Sequence, residues 1–227
     1  MARSKAKASV CSVSKDNIIK VWEQVEHIEL EEEKLCFPRL NDTMKKFAYE
    51  YKLPIESITA AFVALSPSND YLGNLRSLRT LLNIRDSSAI VSTFNSCKIR
   101  ALRFLAGEDF LSVTRGPKTR SFYINILDPL ENSSITIDGH MYSIAAGKRM
   151  PVLEVAWRKF NYEETAKLYR DVANDVNLIP SQLQGVLWLT WKRIHGILSK
   201  SQLGLFNSGN HWKFEIELSE IKPYEMH

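Results

Sequence analysis

The 227-residue chain has no apolar run long enough to cross a bilayer, because charge interrupts every hydrophobic stretch before the roughly 18 residues a span requires. No signal-peptide hydrophobic region follows its start. No membrane partner is expected, and the expected setting is intracellular. It has only three cysteines, Cys11, Cys36 and Cys97, odd in number and widely separated, which fits neither a disulfide framework nor a zinc or iron–sulfur spacing. Reduced thiols are the expectation. The five histidines, His27, His140, His195, His211 and His227, include no pair at metal-binding helical spacing, so neither a metal nor another cofactor is expected. Internal repeats are lacking, and so is a strong net charge. The 30 Lys and Arg against 26 Asp and Glu leave +4, too little to name nucleic acid as the partner.

What is there reads as a folded globular protein. Hydrophobic residues make up 44% and charged residues 25%, and the length suffices for one large domain or two small lobes around a core. The charge is unevenly placed. Between Lys98 and Arg120 the basic residues 98, 100, 103, 115, 118 and 120 face only the acidic pair 108 and 109, whereas Glu23 to Glu33 is crowded with glutamate. This pattern fits an anion-facing surface opposite an acidic one, and it fits two differently solvated helix faces.

Residues 1–15 are small, polar and basic, without apolar periodicity, and read as a flexible basic arm. A helix is expected after Ser14 or Asp16, carrying Ile18, Ile19, Val21, Trp22 and Val25, and another from about Asn41 to Lys52. "IESITAAFVAL" is helical, "SPSND" breaks it, and "YLGNLRSLRTLLNI" restarts helical spacing with Arg76 and Arg79 outside. "FNSCKIRALRFLAGED" gives a further helix ending near Gly107. Late in the chain, "VLEVAWRKFNYEETAKLYRDVANDVN" predicts one long or two shorter helices, and "IPSQLQGVLWLTWKRIHGIL" another with Ser181 in its first turn. "HWKFEIELSEI" alternates Trp212, Phe214, Ile216 and Leu218 with polar residues, which is strand periodicity, paired with "GLF" across "NSGN". The domains expected are the arm 1–15, a helical domain 16–204 and a β extension 205–227.

The stretch "TRGPKTR", residues 114–120, concentrates charge on one turn. Pro117 suits the first position of a helix and Gly116 permits a tight approach to it. Thr119, Phe122, Tyr123, Ile126 and Leu127 then make one buried stripe, leaving Lys118, Arg120 and Ser121 outside. Asp128-Pro129 stops the helix and "ITID" returns the chain. The helix carries the chain about 15 Å from Lys118, and an extended return at about 3.3 Å per residue covers that distance. Asp138 is therefore expected beside Lys118. The residues alone leave open a reactive amine, a phosphate clamp and a solvated helix start for Lys118, and a simple N-cap for Asp138.

"GPKTRSF" followed by "ITIDGHMYSIA" resembles the core of the helix-hairpin-helix DNA glycosylases, the HhH-GPD superfamily, especially its oxoguanine glycosylase and endonuclease III branches. There a G-x-G-x-K-[TV]-A hairpin precedes a [VI]-D-x-H segment at similar separation; here Asp138 stands 20 positions after Lys118. "FVALSPSND" and "TFNSCKIRAL" resemble the segments ahead of that hairpin, so the likeness spans roughly residues 55–150. It departs from the pattern at Thr114, in place of the first hairpin glycine, and at Arg120, in place of a small residue. The four-cysteine cluster loop is missing. The likeness is to a distant, phage-type member with a changed substrate, in the cytoplasm of a bacterial or phage-infected cell. The fold implied is mainly α, a two-lobed helical HhH-GPD-like architecture with a short C-terminal β hairpin or strand.

The resemblance implies a DNA partner, Lys118 as nucleophile and Asp138 as catalytic carboxylate. Cleaving a glycosidic bond builds positive charge on the sugar, so a carboxylate stabilises the transition state while an amine captures C1′. A Schiff base formed this way allows strand cleavage by β-elimination. Asn69 stands where the oxoguanine branch fills the gap left by the flipped nucleotide, and Lys98, Arg100, Arg115, Gly116, Arg120 and His140 are the residues expected at the DNA backbone. For the base pocket the candidates are Tyr142, Gln182, Gln184, Trp188 and Trp191. A base-hypermodification transferase on the same fold and a non-enzymatic DNA-binding module remain alternatives, and no oligomeric state is implied.

Overall fold

The computed structural model describes residues 12–151, 161–198 and 221–224, all helices and connecting segments, with no strand among them. No helix among the described residues is long and apolar enough to cross a membrane. The chain divides into two compact units: Met1–Lys34 with Ile137–Leu198, and Leu35–Thr136 with Ser199–His227. The boundaries between the units fall near residues 34, 136 and 198.

The first unit is built from α1 (Lys15–Trp22), α2 (His27–Glu33), α9 (Gly139–Ala145), α10 (Tyr162–Asp175) and α11 (Pro180–Ile194). Ser14 caps α1, accepting from the amide of Asn17, so the helix begins at the last residue assigned to the basic arm. Ile18 and Val21 are buried from α1, and Tyr169 of α10 is fully buried with its hydroxyl donating to the Met141 carbonyl at 2.7 Å. The backbone N–H of Ser14 and the Asn17 side-chain amide both donate to the Ala145 carbonyl, at 2.9 and 3.0 Å, tying α1 to the end of α9. Gly147 follows at φ +68°, and a Cβ there would lie 2.7 Å from the Asn17 side chain. Both the left-handed backbone and the close approach require glycine at this position.

The second unit contains α3 (Cys36–Tyr51), α4 (Ile55–Leu65), α5 (Tyr71–Ile84), α6 (Asn95–Leu105), α7 (Phe110–Val113) and α8 (Pro117–Leu127). Every residue of α4 from Ile58 to Leu65 is buried, and α3, α5, α6 and α8 pack around it. A helix apolar on all sides belongs at such a centre. Phe122 of α8 meets Phe62 and Phe37, and Phe110 stacks on Tyr123 with ring centroids 4.2 Å apart. Asn41 donates to the carbonyls of Ile126 and Leu127, at 2.9 and 3.2 Å, partnering the last turn of α8.

Several expectations need correction. Helix α3 starts at Cys36 rather than Asn41, and α2 and α7 appear where no helix is expected. Arg79 does not ride outside: its guanidinium lies 5.3 Å from the Phe47 ring centroid and 2.9 Å from Glu50 Oε1. The cation covers an aromatic face that would otherwise meet water. The expected strand at Trp212–Leu218 and its "GLF" partner lie outside the described residues, as do 152–160 of the long helical stretch. Ile221 joins the core of the second unit, and the Tyr224 amide donates to Thr80 Oγ1 at 2.9 Å.

Candidate functional site

In the second unit, α7 and α8 are joined by the three residues Thr114, Arg115 and Gly116, a helix–turn–helix passage with Pro117 at the first helical position. Gly116 is the N-cap of α8 at φ −68° and ψ 122°, a conformation open to any residue, and a Cβ there would meet only Thr119 Oγ1 at 3.7 Å. The turn therefore does not need glycine for the chain's own sake. What the missing Cβ leaves is bare backbone facing outward, with no side chain capping the first amides of α8.

Lys118 is exposed in the first turn of α8. It lines a cleft of about 200 Å³ together with Arg100 of α6, Ser66 and Ser68 of the turn after α4, Thr114 and Thr119, over a floor that includes Val63, Phe110 and Phe122. No carboxylate lines this cleft. Among the described residues Lys118, Arg100 and Arg115 have no ion-pair partner, although ion pairs are common elsewhere on the surface. Two unpaired cations sharing one concavity make a local positive potential suited to an anion.

The other basic candidates serve the fold. Arg120 donates through one guanidinium nitrogen to the carbonyls of Leu111 and Thr114, at 2.7 and 2.9 Å, and so clasps the hairpin. That explains an arginine where the resemblance expects a small residue. Lys98 donates to the carbonyls of Ser87 and Ala89, at 2.7 and 3.1 Å, pinning the loop between α5 and α6. Asn69 donates to the Leu65 carbonyl at 2.9 Å and accepts from Ser92 Oγ. All three have partners within the second unit and remain half-buried. Ser68, which sequence reasoning passed over, holds φ +62°, a left-handed backbone unusual for a residue other than Gly, Asn or Asp. Only the density of Ser, Pro and Asn in "SPSND" signalled it.

In the first unit, Asp138 is the N-cap of α9. Its Oδ1 accepts from the Met141 amide at 2.9 Å and its Oδ2 from Trp188 Nε1 at 3.1 Å, which fixes the carboxylate and ties α9 to α11. The adjacent Gly139 has open space where a Cβ would stand. His140, half-buried, meets Trp188 edge-on with ring centroids 6.0 Å apart. Burial pushes the imidazole below the usual histidine range, and Lys192, Arg149 and His195 act in the same direction against the pull of Asp138. Lys192 stands 4.2 Å over the Trp188 ring.

The remaining pocket candidates separate clearly. Tyr142 and Trp191, 2% and 4% exposed, are core residues of this unit, Trp191 packing on His195. Gln182 accepts from the Ile179 amide at 3.2 Å and closes the start of α11. Gln184 differs, because its Oε1 is buried with no hydrogen-bond partner among the described residues, as are Ser181 Oγ and Trp191 Nε1. Buried polar atoms without partners are uncommon and call for an explanation. Asp138, Trp188 and Gln184 belong to the first unit, Lys118, Arg100 and Arg115 to the second. Among the described residues no group of three or more His, Cys, Asp or Glu side chains forms a metal site.

No curated protein and no solved structure matches the chain. A family model described as a family of unknown function, DUF7178, matches residues 1–195, and the chain belongs to that family.

Proposed function

We propose that the protein is a DNA glycosylase that takes a modified base out of the stack and attacks C1′ of its sugar with the Lys118 amine, Asp138 supplying the carboxylate. The amine forms a C–N bond to C1′ as the glycosidic bond breaks and the base leaves with the electron pair. Loss of a proton from nitrogen and opening of the sugar ring, in which the C1′–O4′ bond breaks and O4′ takes up a proton, give a Schiff base; removal of a C2′ proton then permits β-elimination of the 3′ phosphate. The observation that carries this reading is Lys118 itself. It is exposed at the start of α8, without an ion-pair partner among the described residues, in a cleft that contains a second cation. A surface lysine that is only solvated has no need of such a setting.

Arg115, exposed, and the bare Gly116 backbone support contact with DNA phosphate. Asn69, Lys98 and Arg120 hold the turn after α4, the loop before α6 and the hairpin in place around Lys118.

The test does not require the target base. Abasic-site DNA is incubated with the protein and borohydride, which reduces a Schiff base to a stable amine. A covalent adduct with wild type that is absent with Lys118→Ala is the expected result. An adduct of equal yield in both proteins, or none in either, overturns Lys118 as the nucleophile.

A further inference from the structure

We infer that the cleft around Arg100 and Lys118 is a binding site for a phosphate monoester, a terminal or free phosphoryl group rather than a link in continuous backbone. Its lining sets the chemistry. Besides the two cations it is lined by Ser68, Thr114 and Thr119, whose hydroxyls have no hydrogen-bond partner among the described residues. A phosphate monoester offers three acceptor oxygens and close to two negative charges near neutral pH, its second pKa being about 6. A backbone phosphodiester offers two such oxygens and one charge. The cleft's complement of two cations and several hydroxyl donors matches the monoester.

Size and shape point the same way. At about 200 Å³ the cleft is smaller than the roughly 300 Å³ at which small-molecule sites begin, so it takes a group and its immediate carrier rather than a large cofactor. A strand that continues on both sides runs over a surface; a concavity of this size receives an end. The floor of Val63, Phe110 and Phe122 is apolar and suits a sugar ring or base edge attached to the phosphate. Ser68, which lines the cleft, holds φ +62°. The amides of Lys118 and Thr119, which no side chain caps, add donors at the start of α8. The ligand class is therefore a sugar phosphate or nucleotide monophosphate, either free or as the 5′ end of a strand.

This inference goes beyond the glycosylase reading, and its test uses Arg100, leaving Lys118 to the borohydride experiment, so that either can fail alone. Fluorescence anisotropy compares an oligonucleotide bearing a 5′ phosphate with the same oligonucleotide bearing a 5′ hydroxyl; a deoxynucleoside 5′-monophosphate serves as competitor. The phosphorylated strand is expected to bind about tenfold more tightly, the value of one to two charge-assisted contacts. Arg100→Ala should abolish that difference and Arg100→Lys restore part of it, with unchanged melting because Arg100 is exposed. Competition by the monophosphate assigns the site to the free ester, and its failure to compete assigns it to the strand end. If neither ligand shows a phosphate preference that depends on Arg100, the inference is overturned.

Discussion

Arg193 grips Glu29 from the far end of the first unit: its Nε donates to Oε1 at 2.8 Å and a terminal nitrogen to Oε2 at 3.0 Å, across 164 positions of sequence. Glu29 is fully buried, and Thr190 Oγ1 donates to its Oε2 at 2.9 Å. The pair joins α2 to α11. Removing one partner would leave an uncompensated buried charge, which costs about 3–5 kcal/mol when both groups are buried. Arg193 keeps 23% of its side chain exposed, so Arg193→Ala is expected to destabilise the protein by about 2–4 kcal/mol. Urea unfolding measures this, and an unchanged midpoint would mean that solvent already screens the pair.

Asp138 has a structural role that can be separated from any chemical one. Asparagine caps a helix about as well as aspartate, so Asp138→Asn should keep the Met141 contact, but its amide NH2 cannot accept from the Trp188 indole, and the substitution should cost about 0.5–1 kcal/mol. Asp138→Ala removes the cap and deprives the Trp188 indole of its acceptor, and should cost about 1–2 kcal/mol. If Asp138→Asn folds as wild type yet forms less of the borohydride adduct, the carboxylate acts in the reaction. Equal destabilisation by both substitutions would show that the cap geometry does not survive the amide.

His140 gives the first unit a pH dependence of defined sign. Its folded-state pKa lies below the ordinary value, with burial as the main cause, so the folded state binds fewer protons than the unfolded state. Its contribution is fully present above about pH 6.5, the unfolded value, and is lost as pH falls from there through the folded value. Stability should therefore rise with pH across this window. His140→Gln, which cannot take up the proton, should flatten the slope. Urea titrations at a series of pH values across it provide the measurement; a slope of the same size in His140→Gln would assign the dependence to another group.

The sequence made some of this legible and hid the rest for identifiable reasons. Local signals worked where they were strong: Pro117 and Asp128-Pro129 bracket α8 as expected, and Tyr123 and Ile126 of its stripe are buried. Helix α4 runs from Ile55 to Leu65 as its spacing requires. Helix α2 was hidden because its glutamates read as a solvated run, whereas Glu29 and Glu33 are buried, Glu29 by a partner 164 positions away. Arg79 and Lys98 read as surface cations for the same reason, since neither Glu50 nor the carbonyls of Ser87 and Ala89 can be paired with them from spacing. Lys118 and Asp138 stood out through motif, while the hydroxyls lining the cleft became visible only when the α4 turn was placed beside α8.

The segment Ile221–Tyr224 returns to the second unit after a long stretch of chain, and its contribution there can be measured residue by residue. Ile221 is 4% exposed within the core cluster that holds α4. Replacing a buried isoleucine by alanine costs about 2–5 kcal/mol, the larger values where the cavity cannot close. Ile221 lies in a short segment outside any helix, which can shift to fill part of the space, so Ile221→Ala is expected at about 2 kcal/mol. Tyr224 is a different case. Its hydroxyl donates to Ser92 Oγ at 3.0 Å, and Ser92 Oγ in turn donates to Asn69 in the turn after α4, but the Tyr224–Ser92 contact is exposed. Tyr224→Phe should therefore lower stability by no more than about 0.5 kcal/mol. Urea unfolding of the two variants distinguishes burial from hydrogen bonding as the hold on this segment. A large loss in Ile221→Ala with little in Tyr224→Phe assigns the hold to burial, and the reverse order would make the Ser92–Asn69 chain its anchor.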